Sequence, residues 1–90
     1  MPLFEYDPAK SQANQAKHGI DFEAAKELWN DENALENQTS YQDEDRYYRI
    51  ARIGSKLWTA FFTYREGKVR IISVRRAREK EQRSYDSPRS

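Results

Sequence analysis

The chain has 90 residues, of which 37% are hydrophobic and 34% charged, with a net charge of +1, no cysteine and a single histidine, His18. This composition excludes disulfides and thiolate metal sites, so we expect no metal site and no cofactor, and the length indicates one domain with a thin core. The N-terminus lacks a signal-peptide pattern and no apolar run reaches the roughly 20 residues that span a bilayer, so we expect a cytoplasmic protein with no membrane contact.

A short strand and a first helix are predicted at the N-terminus. Leu3 to Tyr6 has the composition of a strand. Asp7 followed by Pro8 is a typical helix start, because aspartate caps a helix and proline suits its first position, and Gly19 is a typical stop. The first helix is therefore expected from Pro8 to about His18, with a thin apolar face for close packing made by Ala9, Ala13 and Ala16.

A second helix and a loop follow. Asp21 can cap a helix that runs from Phe22 to about Trp29 and carries an apolar stripe at helical spacing. Residues 36–45 show no periodicity, so they are predicted to be an exposed loop. This loop contains three adjacent carboxylates, Asp43, Glu44 and Asp45. Adjacent carboxylates in an extended loop do not converge on one point, so we expect them to face solvent rather than to bind a metal.

The C-terminal half predicts three antiparallel strands and a last helix. Residues 47–53, 57–64 and 69–74 are β-rich runs joined by short turns, and the middle run is apolar on both faces, which indicates a central strand. From Arg76 to Tyr85 the sequence favours a charged helix. The predicted fold class is α+β, with a short N-terminal strand, two helices, a three-stranded antiparallel meander and a C-terminal helix in one domain over residues 1–85, followed by a disordered tail over residues 86–90.

The net charge conceals a strong polarity along the chain. Residues 1–45 carry three basic and eleven acidic side chains, whereas residues 46–90 carry thirteen basic side chains, ten of them arginine, and four acidic ones. An arginine-rich half predicts a basic surface for an anion such as nucleic acid, because guanidinium groups match phosphate geometry. The alternative is that the two halves neutralise each other in the fold.

Two sequence blocks and one threonine carry a family resemblance. The first block is Phe4-Glu5-Tyr6-Asp7-Pro8-Ala9-Lys10, continued by Asn14, Lys17-His18-Gly19 and Phe22; the second is Arg70-Ile71-Ile72-Ser73-Val74-Arg75-Arg76-Ala77, continued by Glu81 and Tyr85; Thr63 lies between them. In this order and spacing they resemble the BrnT family of type II toxins, whose fold is RelE-like. Tyr6 and Val74 depart from the family's usual tryptophan and alanine, and neither touches a group that could do acid–base chemistry.

The resemblance implies a ribonuclease that is silenced by a BrnA-like antitoxin and reaches operator DNA only through the antitoxin complex. RNA can be cleaved without a metal when a base activates the 2′-hydroxyl, cations stabilise the phosphorane and an acid protonates the leaving 5′-oxygen. We therefore expect a metal-independent endoribonuclease. Two alternatives stay open here: a non-catalytic module that binds nucleic acid, and a protein-interaction subunit whose arginines meet an acidic partner.

Four residues are candidates for the catalytic site. Arg75 carries a permanent positive charge that can stabilise the negative charge on the phosphorane oxygens. In a regular strand only one of Arg70 and Arg75 can face a common groove. His18 is of the side-chain type that exchanges protons near neutral pH, or else it interacts with the helix dipole. Glu81 is either a base or a partner of a strand arginine. Tyr85, one turn later, either orients a base and assists proton transfer or anchors the last helix.

Further residues are candidates for binding RNA. Five basic residues either contact the RNA backbone or are solvated charges: Lys17, Arg52, Lys56, Arg70 and Arg76. Aromatic rings in the strands can stack on bases, but on alternating strands such rings more often belong to the core. This applies to Tyr47, Tyr48, Trp58, Phe61, Phe62 and Tyr64.

Overall fold

A computed structural model of the chain describes residues 2–39 and 45–87. Its class is α+β, as predicted. In chain order the elements are β1 (Phe4–Glu5), α1 (Pro8–His18), α2 (Phe22–Ala25), a 3₁₀ helix (Lys26–Asn30), β2 (Leu35–Gln38), β3 (Tyr47–Ile53), β4 (Lys56–Arg65), β5 (Lys68–Arg76) and α3 (Glu79–Asp86). Within the described ranges, no helix is long and apolar enough to cross a bilayer.

The strands form one five-stranded sheet in the order β1-β5-β4-β3-β2. The predicted antiparallel meander β3-β4-β5 is confirmed, and β1 joins it by pairing parallel to β5. The prediction of a loop from residue 36 is wrong at its start, because β2 pairs antiparallel with β3. This edge strand is mostly exposed and polar, so backbone hydrogen bonds define it and no apolar alternation reveals it. Asp43 and Glu44 lie outside the described residues.

Helix α1 has the predicted bounds, set by its caps. The Asp7 carboxylate accepts a hydrogen bond from the Ala9 amide at 2.9 Å, and Gly19 ends the helix in the left-handed conformation with φ +80°. The expected packing face is wrong, since the three alanines are exposed and the buried residues of α1 are Ser11 and Asn14.

Asn14 explains why α1 packs through a polar side chain. Strand β1 is only two residues long, so it leaves the edge of β5 unpaired at Val74. The Asn14 amide fills this gap: Nδ2 donates to the Val74 carbonyl at 2.9 Å, and Oδ1 accepts from the Val74 amide at 3.1 Å. Nδ2 also donates to the Ile20 carbonyl at 2.8 Å. The side chain thereby completes the backbone pairing of a buried strand edge.

Two apolar clusters cover the two faces of the sheet. The larger lies under α2 and the 3₁₀ helix. Of the predicted stripe, Phe22, Ala25 and Leu28 are buried there, and Trp29 is half-buried against the same cluster. The helix predicted over 22–29 begins as α2 and continues as the 3₁₀ helix. The smaller cluster lies on the opposite face and contains Tyr85 of α3. Strand β4 is therefore covered on both sides, as its composition predicted.

The last strand is longer than predicted. β5 extends through Arg75 and Arg76, although the strand was predicted to end at residue 74 and the helix to begin at Arg76. The Ala77 amide still donates to the Leu57 carbonyl at 3.0 Å. Helix α3 begins only at Glu79. Asp86 is its last residue, and residues 88–90 of the predicted tail lie outside the described ranges.

Candidate functional site

A β-bulge brings two arginines of β5 to the same face of the sheet. Ser73 pairs with Phe61 of β4, but Ile71 pairs with the next residue, Phe62, so Ile72 is an extra residue in β5. On either side of the bulge, Arg75 lies opposite Thr59 and Arg70 opposite Thr63. The two threonines share a face of β4, and so do the two arginines. The expectation that only one of them can face a common groove is therefore wrong, because the strand is not regular.

We call this surface the α3 face, because α3 lies on it. It carries Tyr48 and Ile50 of β3, Leu57, Thr59, Phe61 and Thr63 of β4, and Arg70, Ser73 and Arg75 of β5. Two hollows adjoin it. The first, the α3 cleft, has a volume of about 300 Å³ and is lined by Tyr48, Ile50, Phe61, Arg75, Lys80, Glu81 and Ser84. The second, the β4–β5 pocket, has a volume of about 250 Å³ and is lined by Lys10, Arg46, Thr63, Tyr64, Arg65, Arg70 and Ile72.

Arg75 is held in the α3 cleft by a two-pronged ion pair. Its Nη1 and Nη2 each donate to one carboxylate oxygen of Glu81 at 2.8 Å, and Nη1 also donates to the Arg76 carbonyl at 3.2 Å. Its guanidinium lies over the Phe61 ring, 5.2 Å from the centroid. These contacts use three of its five N–H groups, and none of the described residues bonds the Nε edge. Arg75 therefore keeps a second fork of donors for an anion.

Glu81 is surrounded by donors. Besides Arg75, its Oε1 accepts from the Thr59 hydroxyl at 2.9 Å and from the backbone amide of Arg78 at 2.8 Å. Burial opposes ionisation, but the hydrogen bonds from Arg75, Arg78 and Thr59 outweigh it and hold the pKa of this carboxyl at about 2, below its usual 4.5. Of the two roles open for Glu81, the contacts match the partner of a strand arginine.

Tyr85 lies one turn further along α3 and is buried in the smaller cluster. Its hydroxyl donates to Asp31, which follows the 3₁₀ helix, at 2.7 Å, and the Arg52 guanidinium lies over its ring. Burial and the bond to the Asp31 carboxylate raise the pKa of this phenol. Tyr85 does not line the α3 cleft, and its contacts are those of an anchor that fixes α3 to the sheet.

His18 and Lys17 lie at the end of α1, away from the α3 cleft. His18 is half-buried and stands one turn after Asn14 in α1. Lys17 is exposed. Neither lines the α3 cleft or the β4–β5 pocket. His18 is therefore not among the residues that line the cleft with Arg75 and Glu81, with which it was grouped as a catalytic candidate.

The remaining basic candidates divide between the two faces. Arg70 lines the β4–β5 pocket and pairs with Glu5 of β1, whose Oε2 lies 3.1 Å from its Nη1. Arg76 lies over the Trp58 ring, 5.5 Å from its centroid; both belong to the register positions that alternate with the α3 face. Arg52 and Lys56 are exposed near the β3–β4 turn. Of these four residues, Arg70 is the one that shares either of the two described hollows with other cations.

Four residues that line these hollows were not singled out from the sequence: Lys80, Ser84, Arg46 and Arg65. Lys10 belongs to the first resemblance block and Tyr48 was considered only as an aromatic ring of a strand, so neither was expected at a hollow. Helical spacing could have identified two of the four, because Lys80 and Ser84 are four residues apart and lie beside Glu81 on the same helix. The aromatic residues behave largely as predicted, with Trp58 and Phe62 buried and Tyr47 stacked on Phe62. Tyr48 and Phe61 are only half-buried, and they pair directly across β3 and β4 on the α3 face.

The chain matches a sequence model of a known protein family. A sequence model of the family described as ribonuclease toxin, BrnT, of type II toxin–antitoxin system matches residues 6–81, which include α1, strands β2 to β5 and the start of α3. None of the curated proteins compared with the chain matches it.

Proposed function

Because this chain belongs to the BrnT family of ribonuclease toxins from type II toxin–antitoxin systems, we propose that it is a metal-independent endoribonuclease that cleaves RNA by 2′-hydroxyl attack. The observation that carries this proposal is the orientation of Arg75. Glu81 holds its two Nη groups, while its Nε edge is open on a sheet face with a cleft and a basic pocket. A phosphodiester that reaches this edge meets a pre-oriented cation.

The reaction forms a bond between the 2′-oxygen and phosphorus and breaks the bond to the 5′-oxygen. The 2′-hydroxyl loses a proton to a base, and the leaving 5′-oxygen gains one from an acid, so the products carry a 2′,3′-cyclic phosphate and a 5′-hydroxyl. Arg75 stabilises the charge that develops on the phosphorane oxygens. One such donor is worth about 10²–10³ in kcat.

The four catalytic candidates receive different roles in this proposal. Arg75 is the catalytic cation. Glu81 is a positioning residue, because a carboxyl with a pKa of about 2 and donors on both oxygens is a weak base near neutral pH. Tyr85 anchors α3, and His18 belongs to the end of α1. The cleft is also lined by Lys80, whose ammonium is a hydrogen-bond donor for an oxygen of the substrate.

The test is cleavage of RNA by the purified chain in the presence of EDTA. We expect cyclic-phosphate ends, and no cut where the nucleotide that supplies the 2′-hydroxyl is replaced by its deoxy form. Arg75→Ala should lower kcat by about 10²–10³. Arg83→Ala removes an arginine whose ion pair with Glu79 lies on the exposed side of α3, and it should match the parent chain.

Three results would contradict the proposal. Activity that EDTA abolishes and Mg²⁺ restores would show metal-dependent chemistry. Cleavage at the deoxy position would show attack by water. Salt-sensitive binding of RNA that stays intact would instead favour the non-catalytic nucleic-acid-binding module.

Family membership implies an antitoxin partner, and we propose that this partner is BrnA-like and covers the α3 face. Arg75 and the basic side chains of the β4–β5 pocket give an acidic segment of the partner complementary charges. The two proteins should co-purify when expressed together, and the complex should not cleave RNA. Operator DNA should bind the complex and not the isolated chain.

A further inference from the structure

We infer that the β4–β5 pocket is a second phosphate site, which holds the backbone of a single-stranded RNA several nucleotides away from the scissile bond. The inference rests on the proposed function and adds a substrate requirement to it. The shortest efficient substrate must extend from Arg75 to this pocket.

The first argument is the charge of the pocket. Of the described residues that line it, four are basic and none is acidic: Lys10, Arg46, Arg65 and Arg70. Glu5, on the neighbouring strand, takes one N–H of the Arg70 guanidinium. The cations come from α1, from the residue before β3, and from β4 and β5. Thr63 adds its side chain on the α3 face, beside Arg70. An anion that enters this pocket is therefore approached from several elements at once.

The second argument is spacing. Arg75 lies opposite Thr59, and Arg70 lies opposite Thr63, four residues further along β4. At about 3.4 Å per residue, the two arginines start about 14 Å apart on the sheet. One strand of a duplex rises only about 3.4 Å along the axis for each phosphate. We therefore assign the two arginines to different phosphates of one strand, separated by a short run of nucleotides.

The third argument is what lies between the two cationic positions. Phe61 and Tyr48 pair across the sheet at the midpoint, and both residues are half-buried. The Arg75 guanidinium lies over one face of the Phe61 ring, so this ring and its cation already form a stacked pair. Cations alternating with aromatic rings are the usual platform for single-stranded nucleic acid, because unpaired bases stack on the rings while the backbone follows the charges. This order favours RNA over an acidic peptide as the occupant of the pocket. Paired bases of a duplex are not free to stack in this way.

The test uses a series of oligoribonucleotides that contain one cleavage site and are extended stepwise on either side. We expect kcat/KM to rise sharply when the extension on one side reaches the pocket. The variant Lys10→Ala/Arg65→Ala removes two exposed lining cations and should abolish this increase, so that long and short substrates react alike. The control Lys26→Ala/Arg83→Ala removes two charges whose ion pairs lie elsewhere and should keep the length dependence.

Binding of a non-cleavable oligomer, with deoxy nucleotides at the cleavage site, tests the pocket without cleavage. For the Lys10→Ala/Arg65→Ala variant, the slope of log Kd against log salt should flatten by about 0.7 for each phosphate that the variant no longer neutralises. The inference is overturned if the parent chain shows no length dependence, or if this variant keeps the parent salt slope. It is also overturned if the variant binds the antitoxin more weakly but binds and cleaves RNA like the parent chain. Failure to cleave any RNA, with the salt effect intact, would refute the proposed function and leave the pocket assignment standing.

Discussion

Replacing Glu81 by glutamine should destabilise the chain at neutral pH by an amount that shrinks as the pH falls. The substitution keeps the size of the side chain but removes the charge that pairs with Arg75. The glutamine oxygen can still accept from Thr59 or from the Arg78 amide, so the change isolates the ion pair better than truncation to alanine.

The magnitude follows from the pKa of the Glu81 carboxyl, about 2 in the folded chain against its usual 4.5. At 1.36 kcal/mol per pKa unit this corresponds to about 3 kcal/mol. Solvent screening makes that figure an upper bound for a side chain that is 22% exposed, so we expect about 2–3 kcal/mol at pH 7. The folded pKa lies below the unfolded one, so the stabilisation is present above about pH 5 and is lost as the pH falls towards 2. At pH 3, less than about half of it should remain.

Urea unfolding of the parent chain and the Glu81→Gln variant, from pH 7 to pH 3, measures this difference directly. The matched control is Glu79→Gln on the same helix, where the side chain is 83% exposed and its ion pair with Arg83 is at the surface. This control should stay close to the parent at every pH. A Glu81→Gln difference that is the same at pH 7 and pH 3 would refute the assignment of the depressed pKa to this carboxyl.

Two further substitutions and one deletion test other features of the fold. Asn14→Ala leaves buried backbone groups without partners and should lower stability by about 3 kcal/mol, seen as a drop in Tm that the exposed control Gln15→Ala does not show. Tyr85→Phe removes a hydrogen bond to the Asp31 carboxylate and should lower the free energy of unfolding at pH 7 by about 1–2 kcal/mol, measured in urea. Deleting Ile72 restores regular alternation in β5 and should abolish RNA cleavage in a chain whose circular dichroism still shows folding; retained cleavage would show that the bulge is dispensable.

The elements that sequence reasoning located are those with local signals. Asp7, Pro8 and Gly19 determine both ends of α1 through capping and backbone geometry, which involve only neighbouring residues. The two short turns likewise locate the meander, because the geometry of a turn also depends on neighbouring residues. Glu66 and Gly67, in the second turn, both take positive φ, which a tight connection between twisted strands requires.

The elements that it missed depend on distant partners. β2 is polar and exposed, and only its pairing with β3 makes it a strand. Asn14 is a polar residue in a helix, and nothing nearby in the sequence shows that it completes the edge of β5 sixty residues later. The bulge at Ile72 has no local signature either, because one apolar residue more in an apolar run leaves the pattern of a strand intact.

The question left open by the charge polarity, whether the two halves of the chain neutralise each other, has a different answer on each face. On the face that α2 and the 3₁₀ helix cover, Arg49 pairs with Glu36 through Nη1 and donates to the Leu28 and Asp31 carbonyls through Nε and Nη2, so each of its three nitrogens contacts the acidic half. On the α3 face the acids take only part of each guanidinium: Glu81 leaves the Nε edge of Arg75 open, and Glu5 takes one N–H of Arg70. Partial pairing orients an arginine without cancelling its capacity to bind an anion. The described acids on the α3 face therefore orient Arg70 and Arg75 without using all of their donors, and the bulge places both arginines on the same face of the sheet.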